Sequence, residues 1–160
     1  MGPAVGTRVP DLEAEAYVPG TAEPQTLAVP AQDGAWTALV FYPGDFTFVC
    51  PTELRGFAEL QGAFAAAGTT VIAASSDSYY THKAWFESQE QLAGVRYPVL
   101  ADPTQQFSRA FGTVERGTFL IDPDGVVRHA ATDLSPAETL SVLQDLRAWH
   151  DGPAALSVAA

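Results

Sequence analysis

Residues 37–43, TALVFYP, are apolar almost throughout and stop at Pro43-Gly44-Asp45. The run is short, lacks the alternation of a half-exposed strand and ends in a turn, which predicts a strand buried at the centre of a sheet. Helical spacing follows at once. Leu54, Phe57, Leu60 and Phe64 recur along a segment from Pro51 to Ala67, and Gly68 supplies its stop. Pro51 suits a first helical turn, where the missing N–H has no intrahelical partner to lose.

The same alternation continues. TTVIAASSD at 69–77 reads as a second buried strand, YYTHKAWFESQEQ at 79–91 as a helix and RYPVLAD at 96–102 as an extended segment. A short helix is predicted over 104–111, TQQFSRAF. GTFLIDPDGVVRHA at 117–130 reads as a hairpin, two β-prone runs joined by Asp122-Pro123-Asp124-Gly125. Ser135-Pro136-Ala137-Glu138 opens a last helix with a capping box, and Leu140, Leu143 and Leu146 form its apolar face. The first 35 residues, rich in Pro, Gly and Ala, read as loops and a short hairpin at the domain edge. Strands alternating with helices and then a hairpin predict an α/β fold: a mixed sheet with helices on both faces and an N-terminal β extension. The chain of 160 residues suits one domain, 1–160, with 151–160 a divergent tail.

Charge narrows the partners. Eight Lys and Arg stand against 19 Asp and Glu, a formal charge of -11. Such a surface repels phosphate backbones and anionic lipid, so neither nucleic acid nor membrane is expected as a partner. No stretch approaches the roughly 20 apolar residues that span a bilayer, and the opening MGPAVGTRVPDLEAEAYVPG lacks the pattern of a secretory signal. Cys50 is the only cysteine. A lone thiol excludes an internal disulfide and fits a reducing, cytoplasmic setting.

A lone cysteine is usually a small buried hydrophobe. Cys50 differs by its address, at the C-terminal end of a central strand where a helix begins, which is where sites tend to lie in open α/β sheets. There the helix dipole and unpaired N–H groups favour thiolate and can bring a thiol pKa from about 8.5 to well below 7.5. Cys50-Pro51-Thr52-Glu53 offers no second cysteine, which removes a CxxC redox pair. His82, His129 and His150 are scattered and form no recognisable Cys-His signature, although sequence alone leaves a cysteine hydrolase open. No clustered Cys or His suggests a metal, and no cofactor is expected. Peroxide is the electrophile that fits best: a thiolate breaking an O–O bond needs donors that align both oxygens and stabilise the leaving oxyanion.

PGDFTFVC followed by PTEL resembles the active-site segment of peroxiredoxins, in the typical two-cysteine, alkyl hydroperoxide reductase C-subunit-like branch. The resemblance runs over roughly residues 5–150. It includes YPGDFTFVCPTEL, SSDSYYTHKAW, YPVLADPTQQFSRAFG and RGTFLIDPDGVVR in the family's order. It implies a thioredoxin-like fold and a homodimer, or a larger ring. Cys50 resembles the peroxidatic cysteine that forms a sulfenic acid, Thr47 the hydroxyl that hydrogen-bonds the peroxide, and Pro43 the residue packed over the thiolate. Arg116 matches the family's active-site arginine, whose cationic fork can stabilise thiolate and orient peroxide oxygens together. Glu53 matches a carboxylate that helps position it. His82 and Trp85, three apart in THKAW, are expected near the pocket or the dimer contact as a packed pair, and Phe41, Phe46 and Phe48 as packing residues.

The typical branch carries a second, resolving cysteine near its C-terminus. Here HDGPAALSVAA contains none, and Ser157 occupies roughly its place. The expected mechanism is therefore one-cysteine, with an external thiol or redoxin-type protein reducing the sulfenic acid. Two other readings use the same fold: a peroxide sensor or chaperone-like scaffold that oxidises Cys50 without high turnover, and a binding module with an inert thiol.

Overall fold

In the computed structural model the described residues are 5–29, 34–46, 50–112, 116–132 and 135–150, the side chains of Cys50 and His150 excepted. Seven strands form one sheet: β1 (Leu12–Tyr17), β2 (Gln25–Val29), β3 (Trp36–Phe41), β4 (Thr69–Ser75), β5 (Val99–Ala101), β6 (Gly117–Ile121) and β7 (Val127–Ala131). Four helices accompany them: α1 (Cys50–Ala66), α2 (Tyr79–Ser88), α3 (Gln106–Phe111) and α4 (Pro136–His150). The sheet order is β2-β1-β5-β4-β3-β6-β7, with β3, β4 and β5 parallel and the outer pairings antiparallel. The mixed sheet, the N-terminal hairpin and the element order agree with the sequence. The tail 151–160 lies outside the described residues.

All six residues of β3 are buried, as the unbroken apolar run demands. Alternate side chains serve two cores. Ala38, Val40 and Tyr42 join Leu54, Phe57 and Phe64 of α1, Trp85 and Phe86 of α2 and Leu143 of α4. Leu39 and Phe41 join Phe107 and Phe111 of α3 on the other face. Helices thus cover both faces, unequally.

Local chemistry sets the ends. Gly68 follows α1 at φ 67, a left-handed conformation that suits glycine. The capping box closes reciprocally: the Glu138 N–H donates to Ser135 Oγ at 3.1 Å, and the Ser135 N–H to Glu138 Oε1 at 3.2 Å. Several elements are shorter than the sequence suggests: α3 begins at Gln106 rather than 104, and β4 ends at Ser75 rather than 77. α2 ends at Ser88 rather than continuing to 91, because the Ser88 hydroxyl and the Gln89 N–H both donate to the Trp85 carbonyl while Gln89 turns extended. A single 3-10 turn over Glu90–Leu92 follows. The extended segment 96–102 contributes only Val99–Ala101 to the sheet. Asp102 turns inward, its carboxylate accepting the N–H groups of Phe107 and Ser108 at the start of α3.

Candidate active site

β3 delivers the chain to a turn, Pro43-Gly44-Asp45-Phe46, and α1 begins at Cys50. Cys50 therefore occupies the first turn of a 17-residue helix, among N–H groups with no intrahelical acceptor. Thr47 and Phe48 lie outside the described residues, as does the Cys50 side chain. Pro43 is exposed at the turn.

The antiparallel register pairs Phe41 with Gly117, so Arg116, immediately before β6, arrives at the sheet end where β3 hands over to α1. Glu53 stands one turn along α1 from Cys50. Arg116 Nη1 donates to Glu53 Oε2 in a half-buried ion pair, their side chains 35% and 20% exposed. The structure thus brings Arg116 and Glu53 together beside the helix turn that carries Cys50. Beneath that turn, the Tyr97 hydroxyl donates to the Leu54 carbonyl at 2.7 Å. Burial first, and the Glu53 carboxylate second, push the Tyr97 hydroxyl far up, so it stays a donor.

A second cluster lies under the Pro43–Phe46 turn, and sequence reasoning missed it. The Tyr42 hydroxyl donates to Asp45 Oδ1 at 2.5 Å, and His82 Nδ1 lies 2.7 Å from Asp45 Oδ2. His82 Nε2 lies 2.9 Å from the Leu100 carbonyl. The Asp45 N–H donates to Asp77 Oδ2 at 2.8 Å, and the Ser75 hydroxyl to the same oxygen at 2.7 Å. His82 is fully buried, so the packed placement expected for it holds, but its ring is engaged in hydrogen bonds rather than only in packing. Trp85 stacks on Tyr42, with centroids 6.1 Å apart. Phe41 is core, whereas Phe46 is 61% exposed and touches the ring of Trp85 from outside.

Asp45, Asp77 and His82 are the one group of metal-ligand side chains drawn together among the described residues, their ligand atoms within 4.8 Å of one another. His82 Nδ1 bonds to the Asp45 carboxylate, and the Asp77 carboxylate accepts the Asp45 N–H and the Ser75 hydroxyl. The cluster is a hydrogen-bond network. No helix among the described residues is long and apolar enough to cross a membrane.

The AhpC/TSA family profile matches residues 5–130. Alkyl hydroperoxide reductase C of Ferdinandcohnia aciditolerans is 46% identical over 104 residues, 61% of this chain and 62% of that protein. The Bacillus subtilis protein of the same name is 38% identical over 133 residues, 78% of this chain and 69% of its own length. The chain therefore spans about two thirds of the length of these curated relatives. The crystal structure of Enterococcus faecalis AhpC superposes with a TM-score of 0.87 at 29% identity, covering 93% of this chain and 95% of that one.

Proposed function

The chain belongs to the AhpC/TSA family, and from that premise we propose that it is a thiol-dependent peroxidase using Cys50 as its nucleophile. Its substrates are hydrogen peroxide and small organic hydroperoxides, the latter in keeping with the names of its relatives. The Cys50 thiolate attacks the nearer peroxide oxygen. The O–O bond breaks, the sulfur becomes a sulfenic acid, and the leaving hydroxide or alkoxide takes up a proton as water or alcohol. Thr47 is the hydrogen-bonding hydroxyl, Arg116 the cation that steadies thiolate and oxyanion, Glu53 the carboxylate that aims Arg116, and Pro43 the residue at the mouth. One external thiol condenses with the sulfenic acid to a mixed disulfide and water. A second thiol releases Cys50 and leaves as the oxidised pair.

One observation supports this reading above the others: the Arg116–Glu53 ion pair joins the start of β6 to the helix turn that begins with Cys50. An inert-thiol binding module gives no reason to hold a guanidinium there. The protein is expected to act as a homodimer in the cytoplasm, which sedimentation and fractionation would test.

Stopped-flow oxidation by peroxide, followed by turnover with a panel of small thiols and redoxins, is the decisive measurement. Wild type should consume many equivalents, Cys50→Ser none, and Arg116→Ala should slow oxidation about 10²-fold. Oxidation limited to one equivalent with every reductant would favour the sensor reading. A main product crosslinked through Cys50 of two chains would overturn the one-cysteine cycle.

A further inference from the structure

The cluster beneath the Pro43–Phe46 turn takes no part in the chemistry just described, yet its hydrogen bonds are fully specified. A carbonyl oxygen can only accept, so His82 Nε2 carries a hydrogen toward Leu100. Nδ1 lies 2.7 Å from a carboxylate oxygen of Asp45, so the ring spans Asp45 on one side and Leu100 on the other. Burial and then the Asp45 carboxylate push the Tyr42 hydroxyl well up, which keeps it an O–H donor to the other Asp45 oxygen. Both carboxylate oxygens and the backbone N–H of Asp45 are thereby held.

The anchors come from four directions: the end of β3 through Tyr42, the β4 end through Ser75 and Asp77, α2 through His82 and β5 through Leu100. A Cβ on Gly44 would come 3.3 Å from the Asp77 carboxylate oxygen, so the turn sits tightly against that residue. Phe46, directly after Asp45, is held at φ 59, a left-handed conformation uncommon for a side chain of its size. A buried, fully paired carboxylate followed by a backbone outlier marks a turn whose position is over-determined. Four residues later the chain reaches Cys50.

We propose that Asp45 and His82 are positioning residues for Cys50, fixing the Pro43–Phe46 turn that precedes the thiol in the chain. The proposal rests on the peroxidase reading above. Its physical basis is the steep dependence of a displacement reaction on alignment, where a misplacement of about 1 Å can cost 10²-fold in rate. Neither residue needs to touch peroxide.

Two substitutions separate positioning from bulk stability. His82→Asn keeps an amide donor where Nδ1 faces Asp45 but loses the contact to Leu100. His82→Gln keeps a donor toward Leu100 but loses the one toward Asp45. His82→Gln should melt lower than His82→Asn, because it leaves a buried carboxylate oxygen without its His82 partner, so rates are compared well below both melting temperatures. The second-order rate constant for oxidation by hydrogen peroxide should fall about 10–10²-fold in His82→Gln, and His82→Asn should recover it to within about threefold of wild type. The thiolate titration, followed by ultraviolet absorbance, should shift in His82→Gln alone. Should His82→Gln not fold, Tyr42→Phe carries the test, because it removes the other donor to Asp45 and leaves Leu100 untouched. A fall of about threefold or more is then expected. Equal rates in the two His82 variants, or an unchanged rate in Tyr42→Phe, would overturn the positioning role while wild-type turnover leaves the peroxidase reading standing. A wild type that leaves peroxide unreacted would overturn both.

Discussion

Asp45 and Asp122 are both buried carboxylates just after strands, and they are satisfied in opposite ways. Asp122, directly after β6, accepts the N–H groups of Asp124 and Val126 from its own turn at 2.8 and 3.0 Å, and Arg128 Nε at 2.8 Å. Asp45, after β3, draws on His82, 37 residues away, with Tyr42 as its near partner, while Asp77 holds its backbone N–H. Neither side chain is exposed. The first is held by donors from its own hairpin, all within six residues. The second exists only once β3, β4, α2 and β5 have assembled, so it ties the Cys50 segment to the finished core.

The comparison is tested most severely at Asp45. Replacing it with Ala leaves the Tyr42 hydroxyl and His82 Nδ1 without their acceptor in a dry site, and breaking such a pair costs about 3–5 kcal/mol. Thermal melting should fall by roughly 10 °C or more, since about 1 kcal/mol moves a domain of this size by 2–4 °C. Peroxide reactivity should fall as well in the fraction that remains folded. A melt within about 2 °C of wild type would show that the cluster is no more demanding than the hairpin aspartate.

This contrast also explains what the sequence made legible. Asp122-Pro123-Asp124-Gly125 is a turn because of interactions within six residues, and Ser135 and Glu138 cap α4 for the same reason. The address of Cys50 could be read from an apolar run, a proline-glycine turn and a helical repeat in succession. The approach of Arg116 to Glu53 could not. Its cause is the antiparallel register of β6 on β3, and only resemblance to a known family suggested it beforehand. The Asp45–His82 pair carried no local signal at all. His82 stands in a helix beside Trp85, where packing was the natural expectation, and nothing near residue 45 points to residue 82. Long-range polar pairing is set by tertiary assembly rather than by local pattern, and here it lies next to the candidate site.

A smaller effect is expected at Asp122. Ala there strands two turn N–H groups and the Arg128 guanidinium, a loss of about 2 kcal/mol, with peroxide reactivity unchanged because the register sets Ile121 opposite Thr37, at the end of β3 away from the Cys50 turn. Burial opposes ionisation of Asp122, but the Val126 N–H, Arg128 and the Asp124 N–H outweigh it, so its carboxyl titrates below the ordinary value of 3.8. A depressed carboxyl contributes stability that is present above the unfolded value and lost as pH falls through the folded one. Acid titration of the melting temperature should therefore show a decline below about pH 4 that Asp122→Asn shallows. An identical acid limb in that variant would mean the turn does not favour the carboxylate.

The smallest change belongs to Arg128, which occupies toward Asp122 the place His82 occupies toward Asp45. Its side chain is 40% exposed, so water competes for the charge and Arg128→Ala leaves Asp122 with both backbone donors. A partly solvated ion pair of this kind contributes about 0.5 kcal/mol, and melting should move by no more than about 2 °C. His82 and Asp45 are both fully buried, so the corresponding removal should cost several times more. Equal losses at Arg128 and His82 would break the distinction, because they would make burial and sequence distance irrelevant to what holds each carboxylate in place.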